Sequence, residues 1–225
     1  MKSAVRAERL SKRFRHVLPR RDTLLGRLRG LGDGVETWAL RELSFEVEPG
    51  ECFGISGPNG AGKSTLLSLI AGILAPTSGR VEVGGRTNAF LSLTHGLQPE
   101  LSVLDNIEIC GILMGLRRRE LLRRRDAILD FSGLAERAEL RLAELSTGQT
   151  ARVAFSTALH ADLDIMLIDE TLAVGDAAFQ AKCARAFHDL RGQGKTLLIA
   201  SHDQELLRRL CRRTLHLEQG RGAPS

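Results

Sequence analysis

One run of nine residues, Gly57-Pro58-Asn59-Gly60-Ala61-Gly62-Lys63-Ser64-Thr65, constrains this chain more than any other feature. It fits the pattern G-x4-G-K-[ST], which works only between a buried strand and a helix. Its glycines let consecutive backbone N–H groups turn inward around a phosphate, and the N-terminus of the following helix adds partial positive charge. Both flanks are legible. Cys52-Phe53-Gly54-Ile55-Ser56 is a short apolar strand, and from Ser64 to Leu74 apolar residues recur at helical spacing until Pro76. Lys63 then reaches the β- and γ-phosphates of a nucleoside triphosphate, and the Ser64 hydroxyl can ligate Mg²⁺. A plain glycine-rich turn, the alternative, does not require such flanks.

The rest of the chain supplies strands of the same kind. Asp164-Ile165-Met166-Leu167-Ile168-Asp169 and Thr196-Leu197-Leu198-Ile199-Ala200-Ser201 are continuous apolar runs, with a helical stretch Phe179–Leu190 between them. Strands apolar at every position belong in a parallel sheet covered on both faces. Leu40–Glu48 alternates instead and reads as an amphipathic strand turned by Pro49-Gly50, while Val81-Glu82-Val83 is a short strand before Gly84-Gly85. Pro99 to His160 is mainly helical. The expected fold class is α/β, one large domain for 225 residues.

Chemical groups sit at the strand ends. Asp169 emerges where ligands bind in open α/β sheets and can hold Mg²⁺ through water. Glu170, one residue on, can reach the water that attacks a γ-phosphate. His202 follows the third strand at the same edge and can touch that phosphate; a structural or merely exposed histidine is the alternative.

The formal net charge is +5 and the pI about 9.4, which admits nucleic acid, anionic lipid or nucleotide as partners. Much of the charge lies in Arg13–Arg29 and Arg117–Arg125, and solvated arginine faces are an equal reading. Aromatic content of 4% with no tyrosine argues against base-stacking platforms for single strands. The four cysteines, Cys52, Cys110, Cys183 and Cys211, are scattered singly, so reduced buried thiols are expected and neither a zinc site nor a disulfide framework. No apolar run approaches the roughly 18–20 residues that cross a bilayer. The first residues lack the apolar region of a secretory signal, so the chain is expected to stay in the cytoplasm.

Leu145-Ser146-Thr147-Gly148-Gln149 lies between the phosphate loop and the acidic strand end and resembles the LSGGQ signature of ABC ATPases. The resemblance covers about residues 5–220. It implies a P-loop NTPase (RecA-like) core at about 1–90 and 161–225, with an ABC β-subdomain, and a helical subdomain at about 91–160 that grips a transmembrane partner. It also implies an ATPase that uses ATP and Mg²⁺ and works as a head-to-tail homodimer. Carried over by position, residues Gly57, Pro58, Asn59, Gly60, Ala61, Gly62, Lys63, Ser64 and Thr65 bind ATP; Glu170, His202 and Lys63 are catalytic; Ser64 and Asp169 serve Mg²⁺. Ser146, Gly148 and Gln149 would contact the other subunit's ATP, and Asp176 would lie in the loop that crosses the interface. A helix cap at Ala177 accounts for Asp176 equally well. The family's adenine-stacking aromatic falls best on Phe14, with Trp38 as rival beyond an insertion at about 15–37, and core packing is open for either. The family's Mg²⁺-contacting glutamine should fall near Leu93-Thr94, where there is none; Gln98 lies several residues late.

Three features resemble the exporters of O-antigen, capsule or teichoic acid: the basic insertion with Arg20-Arg21, the displaced glutamine in Gly96–Leu101, and the run Asp169–Gln180. On that resemblance the partners are integral-membrane permease subunits, two in number, and a glycan or glycolipid carried through them, with no nucleic acid. The location is the cytoplasmic face of the bacterial inner membrane, peripheral to it. The carbohydrate-binding domain that some such exporters add is expected to be absent or separate. An exporter of lipid or drug, and a non-transport ABC ATPase acting on nucleic acid, remain the alternatives; the second would carry a long coiled-coil insertion or two cassettes.

Overall fold

The computed structural model describes residues 3–17, 34–87, 96–169 and 176–224. In chain order they form strands β1 (Val5–Val17), β2 (Gly34–Val47) and β3 (Cys52–Ser56), helix α1 (Lys63–Ile70), strand β4 (Ser78–Val83), and helices α2 (Val103–Leu113), α3 (Arg118–Ser132) and α4 (Thr147–Leu159). Strand β5 (Ile165–Asp169), helix α5 (Ala177–Gly192), β6 (Thr196–Ser201), α6 (Gln204–Leu210), β7 (Arg213–Glu218) and β8 (Arg221–Pro224) complete them.

Two sheets result. The first is antiparallel, in the order β2-β1-β4, with Val5 opposite both Val47 and Val83. Register shifts after Ala7, Leu10 and Lys12 bend this ribbon, and Arg9 and Glu42 take the left-handed conformation beside them. The second sheet runs β5-β6-β3-β7-β8; its first four strands are parallel and β8 turns back antiparallel on β7. Because Ser56 pairs with Ser201 and Asp169 with Ala200, the residues following β3, β5 and β6 leave from one edge of this sheet.

The apolar strands divide their side chains between two cores. Ile165, Leu167, Leu198 and Ala200 join Ile55, Leu10, Leu40 and Leu66 on one face. Met166, Ile168, Leu197 and Ile199 join Phe155, Phe179 and Phe187 on the other. That division is the physical reason for runs without polar interruption. A third core, of Val103, Ile107, Leu121, Ile128, Leu142 and Val153, belongs to α2, α3 and the start of α4. Truncating a fully buried residue such as Leu66, Leu167 or Ile128 to alanine costs about 2–5 kcal/mol.

Two boundaries differ from the periodicity. The helix expected to run to Leu74 ends at Ile70, because Gly72 turns left-handed at φ +73° and its N–H closes onto the Leu69 carbonyl. The strand expected at Leu40–Glu48 begins at Gly34, where β1 extends far enough to pair with it. The arginine-rich stretch forms α3, in which Arg118 pairs with Glu108 at 2.9 Å and Arg124 donates to the His160 carbonyl.

Candidate nucleotide-binding site

The phosphate loop follows directly from its backbone. Gly57 has φ +145°, and a Cβ there would stand 2.3 Å from the Leu217 carbonyl oxygen. Gly62 has φ +106°, and its Cβ would meet the Ala39 oxygen at 2.5 Å and Leu40 Cδ2 at 2.7 Å. At both positions the close approach of neighbouring backbone excludes every other residue. Lys63 opens α1 and is only 5% exposed; its Nζ donates to the Gly57 and Pro58 carbonyls at 2.9 and 3.1 Å. The ammonium is thus held inside the loop, while Pro58, Asn59, Gly60 and Ser64 face solvent. Beneath the loop, Ser56 Oγ and His216 Nδ1 lie 3.0 Å apart, a contact between the paired strands β3 and β7 that spacing in the chain does not reveal.

A cavity of about 330 Å³ opens on the loop, walled by Asn59, Gly60, Gly62, Lys63, Ser64, Thr65 and Ala39 of β2. A second, of about 700 Å³, shares Gly60 and continues along Trp38, Arg41 and His216. Trp38 therefore stands on the wall, with the Arg13 and Arg41 guanidinium carbons 5.3 and 5.8 Å from its ring centre. Phe14 lines neither cavity; it lies opposite Thr37 with the Lys12 ammonium 5.2 Å from its ring centre.

Of the acidic pair, Asp169 ends β5, half-buried after four buried residues. Glu170 lies outside the described residues, as do Leu93-Thr94 and the arginines at 20 and 21. His202 is exposed after Ser201, and Asp203 fixes the chain there: its N–H donates to Ser201 Oγ, and its carboxylate accepts from the Leu206 N–H at the start of α6. Gln98 is exposed at the foot of α2, its backbone pinned by Asn106, which accepts from the Gln98 N–H at 2.7 Å and donates to its carbonyl at 2.9 Å.

Ser146, Gly148 and Gln149 form the N-terminus of α4. Ser146 Oγ accepts from the Gln149 N–H at 3.3 Å, and Gln149 Oε1 accepts from the Ser146 N–H at 3.0 Å, a reciprocal capping box. Nothing stands within 4 Å of where a Cβ on Gly148 would lie, so that turn is open. None of the three lines either cavity at the phosphate loop. Asp176 caps α5: Oδ1 accepts from the Phe179 N–H at 2.9 Å, and Oδ2 accepts from Arg152 Nη2 at 3.0 Å. The Phe179 N–H, with Arg152 second, holds this carboxyl below the usual carboxylate range. Nothing in the sequence marks Arg152 beyond its place on a helix, since one arginine there gives no sign of what it faces.

Known proteins place the chain in a family. The family profile described as ABC transporter matches residues 40–173. An O-antigen export system ATP-binding protein of Klebsiella pneumoniae is 41% identical over 183 residues, 81% of this chain and 74% of that protein. A teichoic acids export ATP-binding protein of Lactococcus lactis is 37% identical over 223 residues, 97% of this chain but 47% of that protein. Among solved structures, a dimeric ATP-binding cassette bound to ADP and Pi superposes with a TM-score of 0.80 at 24% identity, covering 98% of this chain and 97% of the other, which bears on the fold. With the phosphate loop, the strand-end aspartate and the capped signature helix standing in the matched stretch, the chain belongs to the ABC transporter family.

Proposed function

We propose that this chain binds ATP and hydrolyses it as the nucleotide-binding subunit of an exporter for polysaccharide or lipid-linked glycan. The observation that carries the reading is the single sheet edge from which the Gly57 loop, Asp169 and His202 all emerge. Lys63 neutralises the transferring phosphate, Glu170 orients and deprotonates the attacking water, and His202 holds the γ-phosphate. Ser64 and Asp169, a hydroxyl and a carboxylate, are hard oxygen donors of the kind Mg²⁺ takes. When bound there, Mg²⁺ offsets the charge developing on the phosphate oxygens.

Ser146, Gly148 and Gln149 serve a second copy's ATP, which accounts for an open helix N-terminus away from the chain's own phosphate loop. A head-to-tail homodimer follows. The unit with its own core, α2 and α3 with the start of α4, docks on two permease subunits and holds the chain peripherally at the membrane. Among the described residues no helix is long and apolar enough to cross it. The glycan cargo rests on the export functions in the relatives' names.

Phosphate release by the purified chain tests the chemistry. Glu170→Gln should retain ATP binding and lose turnover roughly 100-fold or more, and with ATP it should elute as a dimer. Near-normal turnover in that variant, or a rate per subunit that stays flat on dilution into the monomer range, overturns the reading. Deleting the gene should strip polysaccharide from the cell surface; an unchanged surface removes the glycan assignment alone.

A further inference from the structure

We infer that Cys52 and Cys211 form an oxidative modification site that a peroxide closes to an intramolecular disulfide. They stand 159 residues apart in the chain, yet their sulfurs are 3.3 Å apart. A disulfide bond is about 2.05 Å long, so closure needs a further approach of roughly 1.3 Å.

The fold holds the pair together through the backbone on both sides. Cys52 opens β3 and Cys211 is the C-cap that follows α6. The Arg212 N–H donates to the Cys52 carbonyl at 3.2 Å, and the Cys211 N–H to the Leu207 carbonyl at 2.7 Å. Gly54 leaves room beside Cys211, since a Cβ there would sit 3.4 Å from Cys211 Cβ and 3.0 Å from Thr214 Oγ1. Access is one-sided. Cys52 is 2% exposed, whereas Cys211 is half-buried on the wall of a cavity of about 530 Å³ that Gln204, Leu207 and Arg208 also line.

The hydrogen bond between the two sulfurs holds the Cys52 thiol below its usual range, and the same contact with burial pushes Cys211 up. The contact therefore favours a single thiolate within the pair, one sulfur donating to the other. The other two cysteines differ. Cys110 and Cys183 are buried in α2 and α5, where burial pushes their thiols up to about 11 and about 12.

The chemistry balances with a peroxide as oxidant. Cys211, the sulfur that faces the cavity, attacks one peroxide oxygen as its thiolate; the S–O bond forms, the O–O bond breaks, and the leaving hydroxide takes up the proton that the thiol gave up, as water. The second sulfur then attacks the sulfenic sulfur; the S–S bond forms, the S–O bond breaks, and a second water leaves. Two thiols and one hydrogen peroxide give one disulfide and two waters, and thiol exchange with a small dithiol reverses it.

The test treats the fully reduced chain, free of reductant, with rising amounts of hydrogen peroxide. It is then denatured, alkylated and mapped by mass spectrometry without reduction. The expected product has lost two of its four thiols and yields one peptide joining Cys52 to Cys211. Its thermal midpoint should rise by roughly 10 °C, as for a crosslink closing so long a loop, and return with dithiothreitol. Cys52→Ser and Cys211→Ser should each abolish both effects. If the buried Cys52 variant does not fold, Cys211→Ser at the half-buried position carries the comparison. Four alkylated thiols after peroxide treatment overturn the inference. So does a sulfinic acid at Cys211 beside an alkylated Cys52, or a crosslink between two chains. None of these results depends on the nucleotide site, so this inference and the proposed function fail separately.

Discussion

Arg152 of α4 and Asp176 at the cap of α5 join in a 3.0 Å ion pair, so the helix opened by Ser146 is tied to the one that follows the acidic strand end. Arg152 also lies over the Phe179 ring, its guanidinium carbon 4.9 Å from the ring centre. Asp176 thus has both carboxylate oxygens engaged within its own chain. Asp176→Asn should keep the helix cap and lose the charge, leaving thermal stability nearly unchanged. Asp176→Ala loses the cap as well and should cost about 1 kcal/mol by urea unfolding. If the pair aligns the two helices for catalysis, Arg152→Ala and Asp176→Asn should lower kcat by less together than the product of their separate effects. Multiplicative loss in that double-mutant cycle would place the two residues in independent roles.

The three glycines of the phosphate loop should respond differently to alanine. Gly57→Ala and Gly62→Ala drive a Cβ onto backbone oxygens at 2.3 and 2.5 Å, so both should displace the loop and abolish nucleotide binding. Gly60 at φ +79° has nothing within 4 Å of its Cβ position. Gly60→Ala should cost only about 1–2 kcal/mol from the left-handed backbone and retain measurable binding. Calorimetric titration with ATP ranks the three, and equal loss in all would mean that the loop tolerates no local strain.

Trp38 and Phe14 give opposite expectations for the base. Trp38 is on the cavity wall beside Gly60 and is the sole tryptophan, so its fluorescence should change when ATP binds. A stacked base is worth about 1–3 kcal/mol, so Trp38→Ala should weaken ATP binding roughly 5- to 150-fold, while Phe14→Ala leaves it close to the parent. The reverse ranking would restore Phe14 as the platform.

Acid stability should depend on Arg86. Its guanidinium reaches Asp162 at 2.8 Å and Asp164 at 3.4 Å, and its backbone N–H donates to Asp164 at 2.9 Å. Arg86, with Lys195 behind it, holds both carboxyls below their usual range. A carboxyl with a depressed folded value stabilises the fold above its unfolded value of about 3.9 and loses that contribution as pH falls through the folded one. Arg86→Gln should therefore lower the urea midpoint at pH 6, and its difference from the parent should fade as the pH is taken below about 4. A difference constant across that range would exclude the ion pairs as its source.

The sheet was legible because its strands are apolar at every position, and the alternate assignment of Leu167 and Ile168 to opposite cores explains why. The phosphate loop was legible because Gly57 and Gly62 answer to backbone contacts that only glycine tolerates. Helix ends were less so: apolar spacing continues through Ile73 and Leu74 although Gly72 has already stopped α1. Contacts between distant segments left no local trace. Ser56 with His216, Arg152 with Asp176 and Cys52 with Cys211 are each made by packing of separate elements, and no periodicity encodes them.

Strand β3 has both of its neighbours, β6 and β7, in the C-terminal third of the chain. During synthesis, then, the strand that carries the phosphate loop waits for well over a hundred further residues before either edge can pair. At ordinary elongation rates that delay is about 10–30 s. Throughout it, Cys52–Ser56 is an apolar strand with two open edges, the kind of segment that seeds misassociation on the ribosome. A nascent chain stalled near Leu159 should therefore engage chaperones that a completed one releases, and destabilising β6 should lower soluble yield far more than it lowers the stability of protein that has already folded.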